Sequence, residues 1–304
     1  MKTSEPAFSV DVLCVGNASY DLVFGVAAHP AADEKTVASA YVSCGGGPAA
    51  NAAVAASRLG CTAAFAGYLG TDTFGDLHFA ELQREGINVD LIVRGAAPTP
   101  VSAILVKPDG KRTVINHRAS TQPLAATTID FSRCFPEVIL FDGHEPAVSL
   151  ALARYARKFS ITTVLDAGSV HRGTRELIGL VDYLVASEKF ALDFSGEADA
   201  ETALRALAHR AGCVVVTLGE RGLMWKNSVD AGRFPAFAVE VVDTTGAGDA
   251  FHGAFAAGLA MGKSWDELLR YASAVGALCC TEFGARPGLP TALEITHFLD
   301  RTSL

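Results

Sequence analysis

The stretch that most constrains this chain is Val241-Val242-Asp243-Thr244-Thr245-Gly246-Ala247-Gly248-Asp249-Ala250-Phe251-His252-Gly253. It reads as the end of a strand (239–242), a tight glycine turn and then a helix. Ala247, Ala250, Phe251, Ala254, Phe255 and Leu259 follow helical spacing. Thr244 or Thr245 is the expected N-cap, its hydroxyl accepting a bond from a first-turn amide. Gly246 and Gly248 keep the backbone bare, so the amides of Gly246, Ala247 and Gly248 can meet an anion at the positive end of the helix dipole. Asp249 falls in the first turn, the one acid in that region. A cradle for negative charge beside a carboxylate base suits phosphoryl transfer to an alcohol. A glycine turn before a helix is also an ordinary strand-to-helix connection, so the rest of the chain has to decide.

From residue 138 the chain alternates regularly. Strands at 138–142, 161–166, 182–186 and 213–218 are separated by helices at 146–158, 173–180 and 199–210. That is the pattern of an α/β fold with a doubly wound, mainly parallel sheet flanked by helices. Asp142-Gly143-His144, Asp166-Ala167-Gly168 and Thr217-Leu218-Gly219 close three of these strands, and ligands sit outside the carboxyl ends in such sheets. An earlier strand at 12–15 ends at Gly16, with Asp21 expected in the loop beyond it, placed to bind hydroxyls. Gly219-Glu220-Arg221-Gly222 leads into a hairpin through Leu223-Met224-Trp225. A helix at 265–280 and the tail Phe283-Gly284-Ala285-Arg286 close the sheet. Its small residues Ala274, Gly276 and Ala277 suit either an adenine lying flat or plain core packing.

A second glycine run, Gly45-Gly46-Gly47-Pro48-Ala49-Ala50-Asn51, opens an alanine-rich helix that Gly60 ends. Gly45 and Gly46 would bring backbone up to a ligand while Asn51 offers a donor and an acceptor; close packing on a sheet is the alternative. Segments at 36–42, 101–106 and 113–117, the last two around Pro108-Asp109-Gly110, are expected to form a small antiparallel sheet.

Half of the 304 residues are hydrophobic and 19% are charged, enough for a large core. A net charge of −8 without a basic tract argues against a nucleic-acid surface. No apolar run approaches the roughly 18 residues of a membrane span, and the Met-Lys-Thr-Ser-Glu-Pro start lacks a leader's apolar core. Seven cysteines without metal-ligand spacing read as buried reduced thiols. A cytoplasmic protein of one domain over 1–304 is the expectation.

The string Asp243 to Phe251 closely resembles the C-terminal signature of the ribokinase-like (PfkB) carbohydrate kinases. The Gly45 to Asn51 run resembles that family's other signature, and the likeness extends over essentially the whole chain. The resemblance implies a ribokinase-like fold with a β lid from segments near 22–44 and 98–118, ATP and Mg²⁺ as cofactors, and a homodimer through the lid. It also assigns residues. Asp249 would take a sugar hydroxyl's proton as that oxygen attacks the γ-phosphorus, with Gly246, Ala247 and Gly248 holding the transferred charge. Asp21, Gly45, Gly46, Asn51, Asn116 and His144 would bind the sugar. Ser187, Thr217, Gly219, Gly222, Ala274 and Ala277 would line the nucleotide, and Asp243 and Thr245 a monovalent cation such as K⁺. The chain departs from the family's Asn-x-x-Glu motif, reading Ala186-Ser187-Glu188-Lys189-Phe190, so the residue that orders Mg²⁺ stays open, with Glu188 a candidate.

The 45–50 run and the 281–290 ending look most like bacterial kinases of ketohexoses, including sulfofructose kinases. A neutral ketohexose such as fructose is the expectation, because Asp142 and Glu145 flank the strand end where an anionic group would sit. The lid residues Arg112 and Arg118 read as solvated. An anionic sugar (sulfofructose or a sugar phosphate), and a nucleoside kinase stacking a base on Tyr41 or Phe24, are the alternatives. A nucleotide-binding protein without catalysis ranks behind them, because Asp249 and its glycines are intact.

Overall fold

Alternation along β1 (Phe8–Val15) sets up two cores. Val12 and Cys14 face one side and Leu13 and Val15 the other, all without exposure, as a strand covered on both faces requires. The computed structural model describes residues 7–302; the Met1-to-Pro6 start, read above for a leader, lies outside them. The chain continues through β2 (Ser19–Gly25), β3 (Ala40–Gly46), α1 (Pro48–Arg58), β4 (Ala63–Gly70), α2 (Thr73–Arg84), β5 (Ile92–Gly95), β6 (Val101–Val106) and β7 (Arg112–His117). Next come β8 (Cys134–Phe141), α3 (Pro146–Phe159), β9 (Thr162–Ala167), α4 (Arg172–Leu177), β10 (Tyr183–Ser187), α5 (Glu188–Ser195) and α6 (Ala200–Ala208). β11 (Cys213–Thr217), β12 (Leu223–Asn227), β13 (Ala231–Phe234), α7 (Ala247–Ala260), α8 (Trp265–Cys279), α9 (Ala285–Gly288) and α10 (Ala292–Arg301) complete it.

Nine strands form the main sheet in the order β13-β12-β11-β10-β9-β8-β1-β4-β5. All neighbours are parallel except the β11-β12-β13 meander at one edge. This is the α/β architecture expected, with α1, α7 and α8 packed into one core and α3 to α6 into the other. The strand order reverses at β1, between β4 and β8, so the carboxyl ends of β1 and β8 border the natural ligand crevice. Asp142, just past β8, stitches that place together. Its carboxylate accepts from the amides of Asn17 (2.7 Å), Ala49 (3.2 Å) and His144 (2.8 Å). Gly16 must be glycine here, since a Cβ would lie 1.9 Å from Asp142 Oδ1.

The smaller sheet has the order β3-β2-β6-β7. Its outer pairings are antiparallel and its central one, β2 with β6, is parallel. Here the structure differs from the sequence reading. Asp21 lies on β2 and not in a loop, because Tyr20-Asp21-Leu22-Val23-Phe24 has the alternation of a strand and pairs on both sides. Thr36 and Val37 fall outside β3. The segment 239–242 is not a strand: Val242 and Asp243 both donate to the Cys280 carbonyl at the end of α8. A β-branched run reads as a strand whether or not a partner edge is free, and β13 already forms the sheet's edge. All seven cysteines are free and six are buried. Among the described residues, no helix is long and apolar enough to cross a membrane.

Alanines make α1 narrow: eight of its residues, 49 to 56, are buried. Gly253 on α7 takes this further, because a Cβ there would lie 2.5 Å from the Ala52 carbonyl oxygen and 2.8 Å from Ala55 Cβ. Overpacking of a well-filled contact typically costs about 1–3 kcal/mol. Gly253→Ala should therefore lower unfolding stability by that amount in a denaturant titration. A variant as stable as the parent would show that the helices separate freely.

Candidate active site

A cleft of about 430 Å³ opens at the carboxyl ends of β1, β8, β9, β10 and β11, under the smaller sheet. Gly246, Gly248 and Asp249 form one side of it. Gly246, not a threonine, is the N-cap of α7, with φ 79°. The threonines are engaged elsewhere: Thr245 Oγ1 donates to Asp243 Oδ1 at 2.6 Å and Thr244 Oγ1 to the Gly110 carbonyl at 3.0 Å. Of the three expected cradle amides, Ala247's closes a turn on the Thr244 carbonyl (3.3 Å), while Gly246 and Gly248 line the cleft.

Asp249 meets Asn51 across the α1–α7 contact, where Asn51 Nδ2 donates to Asp249 Oδ2 at 2.7 Å. Burial, then the nearby charge of Asp166, push the Asp249 carboxyl up to about 7, while the Asn51 bond pulls the other way. Asp166, near the carboxyl end of the central strand β9, is itself raised to about 8 by burial and by Asp142. His252, one turn along α7, ties these parts together. Its Nδ1 lies 2.6 Å from the Gly248 carbonyl oxygen and 3.4 Å from Asp166 Oδ2, and its Nε2 3.1 Å from the Val185 carbonyl oxygen. Burial lowers the pKa of this imidazole. Asp166 was flagged above only by its strand end and given no role, and His252 was not singled out; a histidine three positions past Asp249 was the available signal.

The opposite wall carries Asp21, Ser102 and Asn116. Asp21 is 5% exposed and accepts from Ser19 Oγ at 2.9 Å, and burial raises its pKa. Gly45 and Gly46 do not line the cleft; Gly47 does. The first two leave room for other side chains: a Cβ on Gly45 would lie 2.3 Å from His78 Cδ2, and one on Gly46 2.0 Å from Asp21 Oδ2.

Alternation on β7 points Arg112, Val114 and Asn116 into the cleft, followed by Arg118. The two arginines are thus cleft residues as well as exposed ones, contrary to the reading of them as solvated. Arg112 donates to Thr244 Oγ1 at 2.8 Å. Arg118 Nη2 lies 3.2 Å from His144 Nδ1, and His144 stacks on His171 with ring centroids 4.4 Å apart. Burial lowers both imidazoles, His171 to about 4. The acids expected to repel an anion here are bound by backbone amides, Asp142 by three while still lining the cleft, and Glu145 by the Leu124 amide at 2.5 Å. Phe24 and Tyr41 pack on each other, centroids 5.1 Å apart, and neither lines the cleft.

On the nucleotide side, Ser187 and Thr217 line the cleft. Gly219 and Gly222 shape the turn into β12 with φ of 60° and 81°, and do not line it. Ala274 is fully buried in the core and Ala277 packs against that core, so Ala274 has no surface to offer an adenine. Glu188 is ion-paired with Arg221 and is not a cleft residue. Among the described residues no group of three or more His, Cys, Asp or Glu could hold a metal; Mg²⁺ usually needs only one or two carboxylates beside nucleotide phosphates. Asp243 is fully buried, its oxygens taken by Thr245 N (2.8 Å), Thr245 Oγ1 and Gly284 N (2.9 Å). In this arrangement it ties the glycine loop to the segment before α9.

The family described as pfkB family carbohydrate kinase matches residues 10–292. The ribokinase of Lactococcus lactis is 28% identical over 288 residues, spanning 93% of this chain and 95% of its own. A ribokinase from Thermotoga maritima superposes with a TM-score of 0.81 at 27% identity, covering 96% of this chain and 100% of that one. A fructokinase with bound ATP from Xylella fastidiosa gives 0.79 at 26%, covering 95% and 98%. A match over this span, with the glycine loop, Asp249 and the cleft in one place, leaves one assignment: the chain belongs to the pfkB family of carbohydrate kinases and is an ATP-dependent phosphotransferase of the ribokinase-like fold.

Proposed function

We propose that the protein transfers the γ-phosphate of ATP to a terminal hydroxymethyl group of a small sugar, a ketohexose such as fructose. The observation that carries this is Asp249 at the cleft, held by Asn51 between the glycine loop and the polar wall of Asp21, Ser102 and Asn116. Ionised Asp249 accepts the hydroxyl proton as the oxygen attacks phosphorus. The Gly246 and Gly248 amides at the start of α7 meet the charge on the transferred group. Asn51 faces both base and sugar, so it orients one against the other. Mg²⁺ arrives with the nucleotide phosphates, the usual way this ion is held in phosphoryl-transfer sites. The donor and the buried free thiols fit a cytoplasmic enzyme.

A second reading is a sugar with an anionic group at its far end. It is favoured by Arg118 beside His144 in the cleft wall, with Asp142 and Glu145 bound to backbone amides. We also infer a homodimer through the smaller sheet, whose edge strand β7 is exposed along its length, with Ile115 61% exposed and Tyr41, on the opposite edge strand β3, 59% exposed.

Asp249→Asn should reduce kcat by ~10²–10⁴-fold, the usual worth of a general base, with little change in ATP affinity. Turnover near the parent's would remove Asp249 from the mechanism. Only the carboxylate form is a base, so kcat/KM should fall about tenfold per unit of pH below about 7, where Asp249 protonates. Competition between fructose and its 6-sulfonate or 6-phosphate at equal concentration decides the substrate. Preference for fructose that survives Arg118→Ala is expected, and a preference for the anion that Arg118→Ala abolishes would replace it by the second reading. Light scattering after gel filtration should give twice the chain mass, and Ile115→Glu should halve it; a monomeric parent rules out the dimer.

A further inference from the structure

Arg286 is 2% exposed, yet none of its three guanidinium nitrogens is idle. Nε donates to Asn51 Oδ1 (3.0 Å), Nη1 to Glu81 Oε1 (3.0 Å), and Nη2 lies 3.1 Å from His78 Nε2. The other Glu81 oxygen accepts from the Gly45 amide at 2.7 Å. His78 has no exposure, and burial and the Arg286 charge hold it neutral, so its Nε2 can accept. Arg286 arrives on α9, directly after Gly284, which donates to Asp243, and Ala285, whose Cβ would be 2.6 Å from any Cβ on Gly246. The guanidinium and the glycine loop are thus fixed by one short segment.

The Asn51 amide has two unlike ends, an accepting oxygen and a donating nitrogen. Its oxygen faces a guanidinium and its nitrogen a carboxylate. Exchanging the ends would set NH₂ against Arg286 and C=O against Asp249, two repulsive contacts in place of two bonds. Arginine does not lose its proton in proteins, so the constraint holds at every working pH. We propose that Arg286 is a positioning residue for phosphoryl transfer: it locks the Asn51 amide in the orientation that presents N–H to Asp249, and so sets the geometry of the base. The proposal rests on Asp249 as the base. Asp249 is also faced by Asp166 on β9, His252 on α7 and Arg112 on β7; Arg286 is faced by Glu81 and His78 on α2 and by Asp21 on β2. Asn51 is the element that joins the two sets.

Arg286→Lys keeps the charge and loses the planar fork that reaches three partners. It should lower kcat by roughly tenfold to a hundredfold, the range for a lost bond to a charged group. KM for ATP should stay near the parent's, and the acid limb of kcat/KM should move to higher pH. Because Arg286 acts through Asn51, the Arg286→Lys/Asn51→Ala double variant should be no worse than the worse single variant. A folded Arg286→Lys protein with the parent's kcat and acid limb overturns the proposal, as do losses that multiply in the double variant. Should Arg286→Lys fail to fold, Glu81→Gln decides, with a smaller shift of the acid limb in the same direction supporting the proposal and an unchanged limb overturning it. The ¹³C titration of the Asp249 carboxyl, without any substrate, separates this proposal from the functional reading. If the parent phosphorylates no sugar, an upward shift in Arg286→Lys still supports the lock, and an unshifted titration sinks it.

Discussion

Helix α7 reaches α1 only because Gly253 has no side chain to hold them apart, and the reactive centre depends on that approach. Asp249 lies four residues before Gly253, about one helical turn, and Asn51 immediately precedes Ala52, whose carbonyl Gly253 touches. The 2.7 Å bond between Asn51 and Asp249 is therefore the top rung of the same helix contact. Moving either helix outward by a methyl's width would open the bond before it unfolded the core. Small residues here act on distance, and through distance on chemistry.

Four acids crowd one end of the sheet, and their surroundings divide them. Asp142 is bound by three amides and serves as mortar between β1, α1 and the turn after β8. Asp21 is buried against a hydroxyl. Asp166 and Asp249 are pushed up to about 8 and about 7. For those two, the folded chain holds protons that an unfolded chain has already released. Their contribution to stability is therefore full at low pH and is lost as pH rises from the ordinary carboxylate range through those values. The ionised form suited to accept a proton is the form that the fold disfavours, a tension common at reacting carboxylates.

The glycine-rich strings were legible because each glycine answers a local demand. Gly246 takes a left-handed turn, and the regular alternation after residue 138 reports strands buried on both faces. Asp249 and Asn51 could be named from their strings for the same reason. What could not be read is whatever depends on residues far apart in the chain. Arg286 lies 235 positions from Asn51, and nothing near it announces a partner. Gly45 and Gly46 were read as bringing backbone up to a ligand, but the string could not say that His78 and Asp21 are what come close to them. Ala274 and Ala277 show the reverse: small residues on a helix look alike whether they face a ligand or a core. The valines at 239–242 were read as a strand because periodicity cannot see that the sheet's edge is already occupied.

The smaller sheet is not hung on the main body by a simple tether. β2 leaves the end of β1 after three residues, carries Asp21 on its own backbone, and pairs along its length with β3 and β6. β3 then runs directly into the glycines before α1. A rotation of this sheet consequently carries one polar wall of the cleft with it, and pulls on the N-terminus of the helix that bears Asn51. Cover and floor are the same piece of chain, so any movement of the smaller sheet would carry the polar groups of Asp21, Ser102 and Asn116 with it.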